Sequence, residues 1–476
     1  MTHLPDLTSP GPHISGRLNH AFVAEARELL RLAVPLAATQ LAQMVILATD
    51  TLMLGHYAKS ALAAAALGNT VFFLAWLVGS GPAMAVAPVV AHLKGEYAAS
   101  VRPRDQRKVR AAVRMGLWSA ALLTLPLLVL LAFTRPILLL LDQEPRLAAD
   151  AARFMSALAF GLPFALVFQV LRSFCTALGR AMPPMVVMGL AILFNALGDY
   201  ALIFGHFGLP RLGILGSGIA SASSNAFSCL TMLAIIFIVP ELRRYRILRR
   251  LPQPDWKRFA ELFHLGIPIS VTMVFEVALF NAATLAMGLF GVAPLAAHQV
   301  AITIPSLTFM VPLGIGLAAT VRVGLAAGAG DRPAARRAGF TAMGMAACFM
   351  LATALVLALF PRAIAMLWLP DTPDNRDVLA LAVGFLHIAA AFQLFDGLQV
   401  TAAMSLRGLK DARMPMWLAG ISYWLCGAPV CILLGFGLGL KGTGIWLGLA
   451  FALMVAAALL STRFWILSKR PGPVRA

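Results

Sequence analysis

The sequence predicts an all-α polytopic membrane protein of twelve transmembrane helices in two pseudo-symmetric six-helix bundles. Three observations carry that expectation: composition, the placement of charge, and an internal repeat. Apolar residues make up 60% of the 476 and charged ones only 12%. The mean hydropathy is +0.84, far outside what the surface of a water-soluble domain carries. Read in windows of roughly 19 residues, twelve stretches are long and apolar enough for a bilayer core, which takes about 20 helical residues. They run over 30–55, 62–91, 113–134, 154–178, 184–205, 213–239, 262–288, 294–321, 338–360, 378–405, 414–437 and 442–463. The runs are continuous and lack the alternating pattern of an outer-membrane barrel, so helices are the spanning element.

The net charge of +18 points to nucleic acid only if the charges form a patch, and they do not. With the N-terminus inside, the inner loops collect Arg27 and Arg31, the run from Lys94 to Arg114, Arg180, the cluster from Arg243 to Arg258, Arg332 to Arg337, Arg407 to Arg413, and Arg463 to Arg475. The outer loops hold few, among them Lys59, Arg135, Arg211, Arg362 and Lys441. This alternation is the positive-inside pattern, with both termini in the cytoplasm and no nucleic-acid partner expected. The first thirty residues contain no apolar signal segment, so the first span is expected to act as an uncleaved insertion signal in the cell inner membrane. All five cysteines fall in predicted spans without ligand spacing and are read as small buried apolar residues.

The repeat supplies the two bundles. Residues Leu32 to Gly95 lie on Leu265 to Gly328 at a constant shift of 233 without a gap, pairing Pro35 with Pro268, Thr39 with Thr272, Thr51 with Thr284, Gly81 with Gly314 and Gly95 with Gly328. An even number of spans per half gives both halves the same orientation, about an axis along the membrane normal. The expected organisation is a cytoplasmic tail over 1–29, a first lobe over 30–239, a cytoplasmic linker over 240–261, a second lobe over 262–467 and a cytoplasmic tail over 468–476. Pro35, Pro184, Pro268, Pro305 and Pro312 are candidate hinge or kink positions.

Four acids fall well inside predicted spans: Asp50, Asp199, Glu276 and Asp396. A carboxylate at the centre of a spanning helix costs about 2.5–3.5 kcal/mol on insertion scales, so each is expected to face a bundle interior or watery cavity and to mark an ion or substrate path. A satisfied interhelical hydrogen bond is the structural alternative. Arg172 is the one basic residue deep enough to pair with them. Asn195 lies one turn below Asp199 on the same face, and Gln43 two turns below Asp50, which outlines an oxygen-lined site in the first lobe suited to a hard cation. Under the shift of 233, Gln43 aligns with Glu276 and Asp50 with Ala283, so the acids are specific to each lobe.

Asp50-Thr51-Leu52-Met53-Leu54-Gly55, Phe275-Glu276-Val277-Ala278-Leu279-Phe280, Ala296-Ala297-His298-Gln299-Val300-Ala301 and Asp396-Gly397-Leu398-Gln399-Val400, leading to Ser405-Leu406-Arg407-Gly408, together resemble the NorM branch of the MATE (multidrug and toxic compound extrusion) transporters over nearly all of Arg31 to Leu467. The resemblance implies a V-shaped pair of six-helix bundles, working as a monomer in the lipid bilayer, that exports organic cationic drugs by alternating access in exchange for Na⁺ or H⁺. No cofactor is implied. Cation coupling falls on Glu276 and Asp396 in the second lobe, with Na⁺ held there, and on Asp50, Asn195, Asp199 and Gln43 in the first. An aromatic hydroxyl that some members use beside the second-lobe site is replaced here by Phe392.

Other classes fit the sequence less well. A lipid-linked oligosaccharide flippase of the same superfamily needs basic residues around its central cavity for pyrophosphate, whereas this chain has four intramembrane acids and one deep arginine. An enzyme needs a nucleophile with its base or a metal cluster, and His264 and His298 stand apart from any such grouping. A channel remains the alternative that flux measurements separate.

Overall fold

A computed structural model describes residues 13–97, 103–249 and 253–469, with side chains from 21 and from 106 in the first two stretches. The expected tails and linker fall in part on 1–12, 250–252 and 470–476, outside the described residues. Among the described residues twelve helices are long and apolar enough to span a membrane: α1 (Ala21–Tyr57), α2 (Lys59–Glu96), α3 (Gln106–Ala132), α4 (Pro145–Ala177), α5 (Met182–Phe204), α6 (Ile214–Ile238), α7 (Trp256–Leu289), α8 (Val292–Gly328), α9 (Arg332–Leu359), α10 (Pro373–Gly408), α11 (Arg413–Gly437) and α12 (Lys441–Lys469). Each overlaps one predicted span. Most run further, because backbone hydrogen bonding continues past the last apolar residue into polar flanks. Helix α7 accordingly begins at Trp256, ahead of the apolar run from 262, and α12 carries on to Lys469.

Local chemistry sets the boundaries. The Asp255 carboxylate accepts from the Arg258 amide at 3.2 Å and starts α7, and Asp331 accepts from the Ala334 amide at 2.9 Å and starts α9. Gly205 ends α5 with φ +80, a left-handed turn that suits glycine. Pro184 lies in the first turn of α5 and is not a hinge, whereas Pro35, Pro268, Pro305 and Pro312 lie inside helices. In α11 the stretches Ile421–Gly427 and Leu433–Gly437 are π-helical, a local widening that changes which way side chains point.

Helices α1 to α6 form one lobe and α7 to α12 the other, and the chain's alternating crossings put both ends on one face, called here the terminus-bearing face. Large apolar side chains on the outside, such as Leu125, Leu193, Leu285 and Leu425, supply the lipid-facing surface that such a chain requires. Cys175, Cys229 and Cys431 are buried as expected, but Cys348 is exposed on this surface.

The lobes touch through α2 against α7, α1 against α8 and α2 against α8, and that contact obeys the sequence repeat. Helix α2 begins at Lys59 and α8 at Val292, again 233 apart. Gly81 packs on Gly266 and Ser270 across the lobes, and its repeat mate Gly314 packs on Ala37, the mate of Ser270. Gly95 packs on the Leu325 carbonyl, and its mate Gly328 packs on the carbonyl of His92, the mate of Leu325. A side chain at any of the four would collide with the opposite backbone, so glycine is what lets these helices approach. The Ser270 hydroxyl adds bonds to the Leu77 and Val78 carbonyls at 3.0 Å and receives the Gly81 amide at 3.2 Å. This seam lies in the halves of α1, α2, α7 and α8 nearer the terminus-bearing face. It is reinforced by one ion pair between lobes among the described residues, Glu25 of α1 with Arg322 of α8.

Candidate functional site

The first lobe brings three of its four predicted residues together. Asp50 of α1, 5% exposed, meets Asn195 and Asp199 of α5, both fully buried. The four-residue spacing predicted on α5 does put the amide and the carboxylate on one face. Helix α6, which the sequence reading did not use, adds two hydroxyls. Ser221 donates to Asp50 Oδ2 at 2.8 Å, and the buried Ser217 faces Asp199. Among the described residues no hydrogen bond of ordinary geometry reaches Asp50 Oδ1, either polar atom of Asn195, either carboxylate oxygen of Asp199 or Ser217 Oγ, although these groups lie side by side. Buried polar atoms are nearly always paired, and two carboxylates side by side repel one another. The shared remedy is a positive charge between them, as a proton or as a cation with oxygen ligands. Gln43 is not part of this cluster: it is half-buried and sits about 10 Å further along α1 at the helical rise.

In the second lobe Glu276 of α7 and Asp396 of α10 are brought together by a residue between them. Gln399 donates its amide nitrogen to Glu276 Oε1 at 3.0 Å and to Asp396 Oδ1 at 3.4 Å. Its own carbonyl oxygen accepts from the Tyr423 hydroxyl at 3.2 Å. Asp396 is 6% exposed, and Gln399 and Tyr423 are buried. Tyr423 corrects the expectation of a missing phenol. Position 392 indeed offers none, since Phe392 is buried and stacks on Trp446 with ring centres 5.6 Å apart. The hydroxyl comes instead from α11, out of the π-helical stretch Ile421–Gly427. A signal for Gln399 was present in the sequence, because it stands three residues from Asp396 on the same helix face. For Tyr423 the signal was weaker: a tyrosine within a span must find a partner for its hydroxyl.

His298, part of a motif noted above, is fully buried and sits 3.0 Å from the Thr284 hydroxyl. It supports the aromatic packing around Trp446 rather than the carboxylates. Among the described residues no group of three or more His, Cys, Asp or Glu is arranged to hold a transition metal. The oxygen-rich donor sets of both lobes fit a hard monovalent cation or a proton. Among the described residues Arg172 makes no ion pair with any of the four acids, its Nη1 has no hydrogen bond, and it is not the only deep arginine. Arg407, expected in an inner loop, lies on the last turn of α10 and is 7% exposed.

Comparison with known proteins places this geometry. The MatE family model matches residues 35–201 and 268–433, one segment in each lobe. A probable multidrug resistance protein NorM of Mesorhizobium japonicum is 42% identical over 451 residues, covering 94% of this chain and 95% of that protein. Its namesake in Rhizobium meliloti is 41% identical, covering 98% of each. Among solved structures, the eukaryotic MATE transporter AtDTX14 superimposes with a TM-score of 0.83 at 23% identity, over 95% of this chain and 97% of that one. A MATE in the bent conformation gives 0.83 at 17% identity, over 94% and 97%. At these identities the two structures speak for the fold.

Proposed function

The chain belongs to the MatE family, in its NorM branch, and from that premise we propose that it exports organic cations, including drugs, in exchange for an inward-moving Na⁺ or H⁺. The observation that carries the reading is the pair of lobe-specific carboxylate sites buried inside a two-lobed membrane protein, above all the unpartnered oxygens of Asp50 and Asp199. A carboxylate in apolar surroundings is stabilised by a proton or cation, and an organic cation that takes its place competes for the same charge. Competition of this kind makes one species leave as the other arrives, which is what exchange requires.

The second-lobe site has a device suited to that competition. With its nitrogen toward the acids, Gln399 holds Glu276 and Asp396 together through donated hydrogen bonds. Turned over about its terminal bond, it would present an oxygen to the acids and its nitrogen to the Tyr423 hydroxyl. The site would then offer oxygens from Glu276, Asp396 and Gln399 to Na⁺. Access alternates by the lobes parting and closing about the glycine seam, which is closed here on the terminus-bearing face. We place that face in the cytoplasm of the cell inner membrane, where the basic loops belong, with the chain acting as a monomer.

The flippase reading is weaker, since a lipid pyrophosphate needs basic donors and the four intramembrane carboxylates outnumber the arginines at the cavity between the lobes, Arg172 and Arg407. Ethidium efflux from proteoliposomes under an imposed Na⁺ gradient, and separately under a pH gradient, tests the proposal. Glu276→Gln and Asp396→Asn should abolish gradient-driven efflux, and Asp50→Asn should lower it. Undiminished driven efflux in the first two variants removes the second lobe from coupling, and in the third reduces Asp50 to a structural hydrogen bond.

A further inference from the structure

We propose that a halide ion of the chloride class binds between Arg172 and Arg407 and ties the two lobes together at their closed face. The cavity is built from both lobes: Leu36, Met84 and Arg172 come from the first, and Ile269, Thr320 and Arg407 from the second. Each lobe contributes one arginine, 5% and 7% exposed. Among the described residues neither guanidinium has an acidic partner. Arg172 Nη1 has no hydrogen bond, and Arg407 Nη1 meets only the Met404 sulfur, at 3.3 Å. Glu276 is the acid whose charge Arg407 feels, and it is engaged with Gln399.

Two buried positive charges at one cavity are unfavourable singly and repel one another, unless an anion lies between them. The threonines and the glutamine of the lining do not compete for that anion. Thr176 donates to the Arg172 carbonyl at 2.8 Å, Thr320 to the Met404 carbonyl at 2.8 Å, and Gln169 to Ser173 at 3.5 Å. The Ser173 hydroxyl accepts from Gln169 and keeps its own hydrogen free, so the unused donors at the cavity are that hydroxyl and the guanidinium N–H groups. Size chooses the class of anion. At about 30 Å³ the cavity exceeds the roughly 10–15 Å³ that one water needs, so it has room for a single small ion as it stands. The walls from Leu36, Met84, Ile269 and Met404 suit a weakly hydrated halide better than a strongly hydrated oxyanion.

Because the two arginines belong to different lobes, the site is complete only while this face is closed. An ion that binds one state and not the other shifts the balance toward it. Chloride would therefore favour the closed terminus-bearing face, whichever cation or drug is carried, so this inference stands apart from the reading of the carboxylates.

The test is equilibrium dialysis of radiolabelled chloride against the full chain in lipid nanodiscs, with gluconate replacing chloride at constant ionic strength. Wild type should show one-site saturation, with bromide displacing chloride and sulfate failing to. Arg172→Gln and Arg407→Gln should each weaken binding about tenfold or more, as expected for loss of a charged hydrogen-bond donor. Absence of saturable binding in wild type would mean that the cavity takes water alone and would overturn the proposal. So would undiminished binding in both variants. If neither variant purifies as a folded protein, the wild-type titration with its bromide and sulfate arms decides.

Discussion

Glu25→Gln should loosen the closed face. Arg322 donates from Nε and Nη2 to the two oxygens of Glu25 at 2.8 and 2.7 Å, a forked geometry that fixes α1 of one lobe to α8 of the other. The side chains are 8% exposed for Glu25 and 29% for Arg322, so the pair lies between two limits. Exposed pairs contribute about 0.2–1 kcal/mol, and hydrogen bonds to charged groups about 1.5–3 kcal/mol. A value of about 1–2 kcal/mol follows, which changes the ratio of closed to open molecules roughly five- to thirtyfold. Glutamine keeps the shape and one acceptor, so the change reports charge rather than packing. Spin labels at Arg243→Cys and Pro333→Cys, exposed positions on opposite lobes, would read the equilibrium by electron–electron distance in a background with the five native cysteines replaced. The long-distance population should grow in Glu25→Gln, and the charge-swapped pair Glu25→Arg with Arg322→Glu should restore part of the short one. A distance distribution identical to wild type in Glu25→Gln would refute the view that this pair holds the lobes together.

Two further outcomes follow from the geometry. Tyr423→Phe removes the hydroxyl that Gln399 accepts from and leaves a buried carbonyl oxygen unpaired, at a cost of about 1–3 kcal/mol. Measured as the cation concentration giving half-maximal driven efflux, the affinity should fall, while Phe392→Tyr in the same background should not rescue it, since Phe392 faces Trp446. Gly95→Ala places a methyl group against the Leu325 carbonyl. Overpacking of about 1–3 kcal/mol should shift the same spin-label distances toward the open form, with Gly328→Ala behaving alike because it is the repeat mate.

Much of this architecture was legible in the sequence because lipid imposes a harsh filter. A bilayer tolerates only long apolar helices, so the twelve runs were visible, and it penalises carboxylates, so Asp50, Asp199, Glu276 and Asp396 stood out. Asn195 followed from helical spacing alone. What the chain does not announce is contact between distant helices. Arg407 reads as a loop residue beside Lys410 until α10 is seen to continue through it. Glu25 and Arg322 are far apart in sequence and carry no local signature of pairing. Gln43 failed for the opposite reason: helical phase gave a plausible face, but two turns of axial distance carried it away from Asp50. Tyr423 depended on a π-helical stretch, which no hydrophobic period predicts.

The duplicated glycine contacts have a kinetic consequence. Where backbone meets backbone, no side chain must choose a rotamer before the lobes can dock, and none is released when they part. Switching across such a seam carries little of the ordering entropy that slows the closure of ordinary interfaces. On the exchange proposed above, the tempo of rocking would fall to the few side chains that do cross the seam and to whatever occupies the carboxylates, so cargo and ions would hold the clock while the hinge itself ran nearly free.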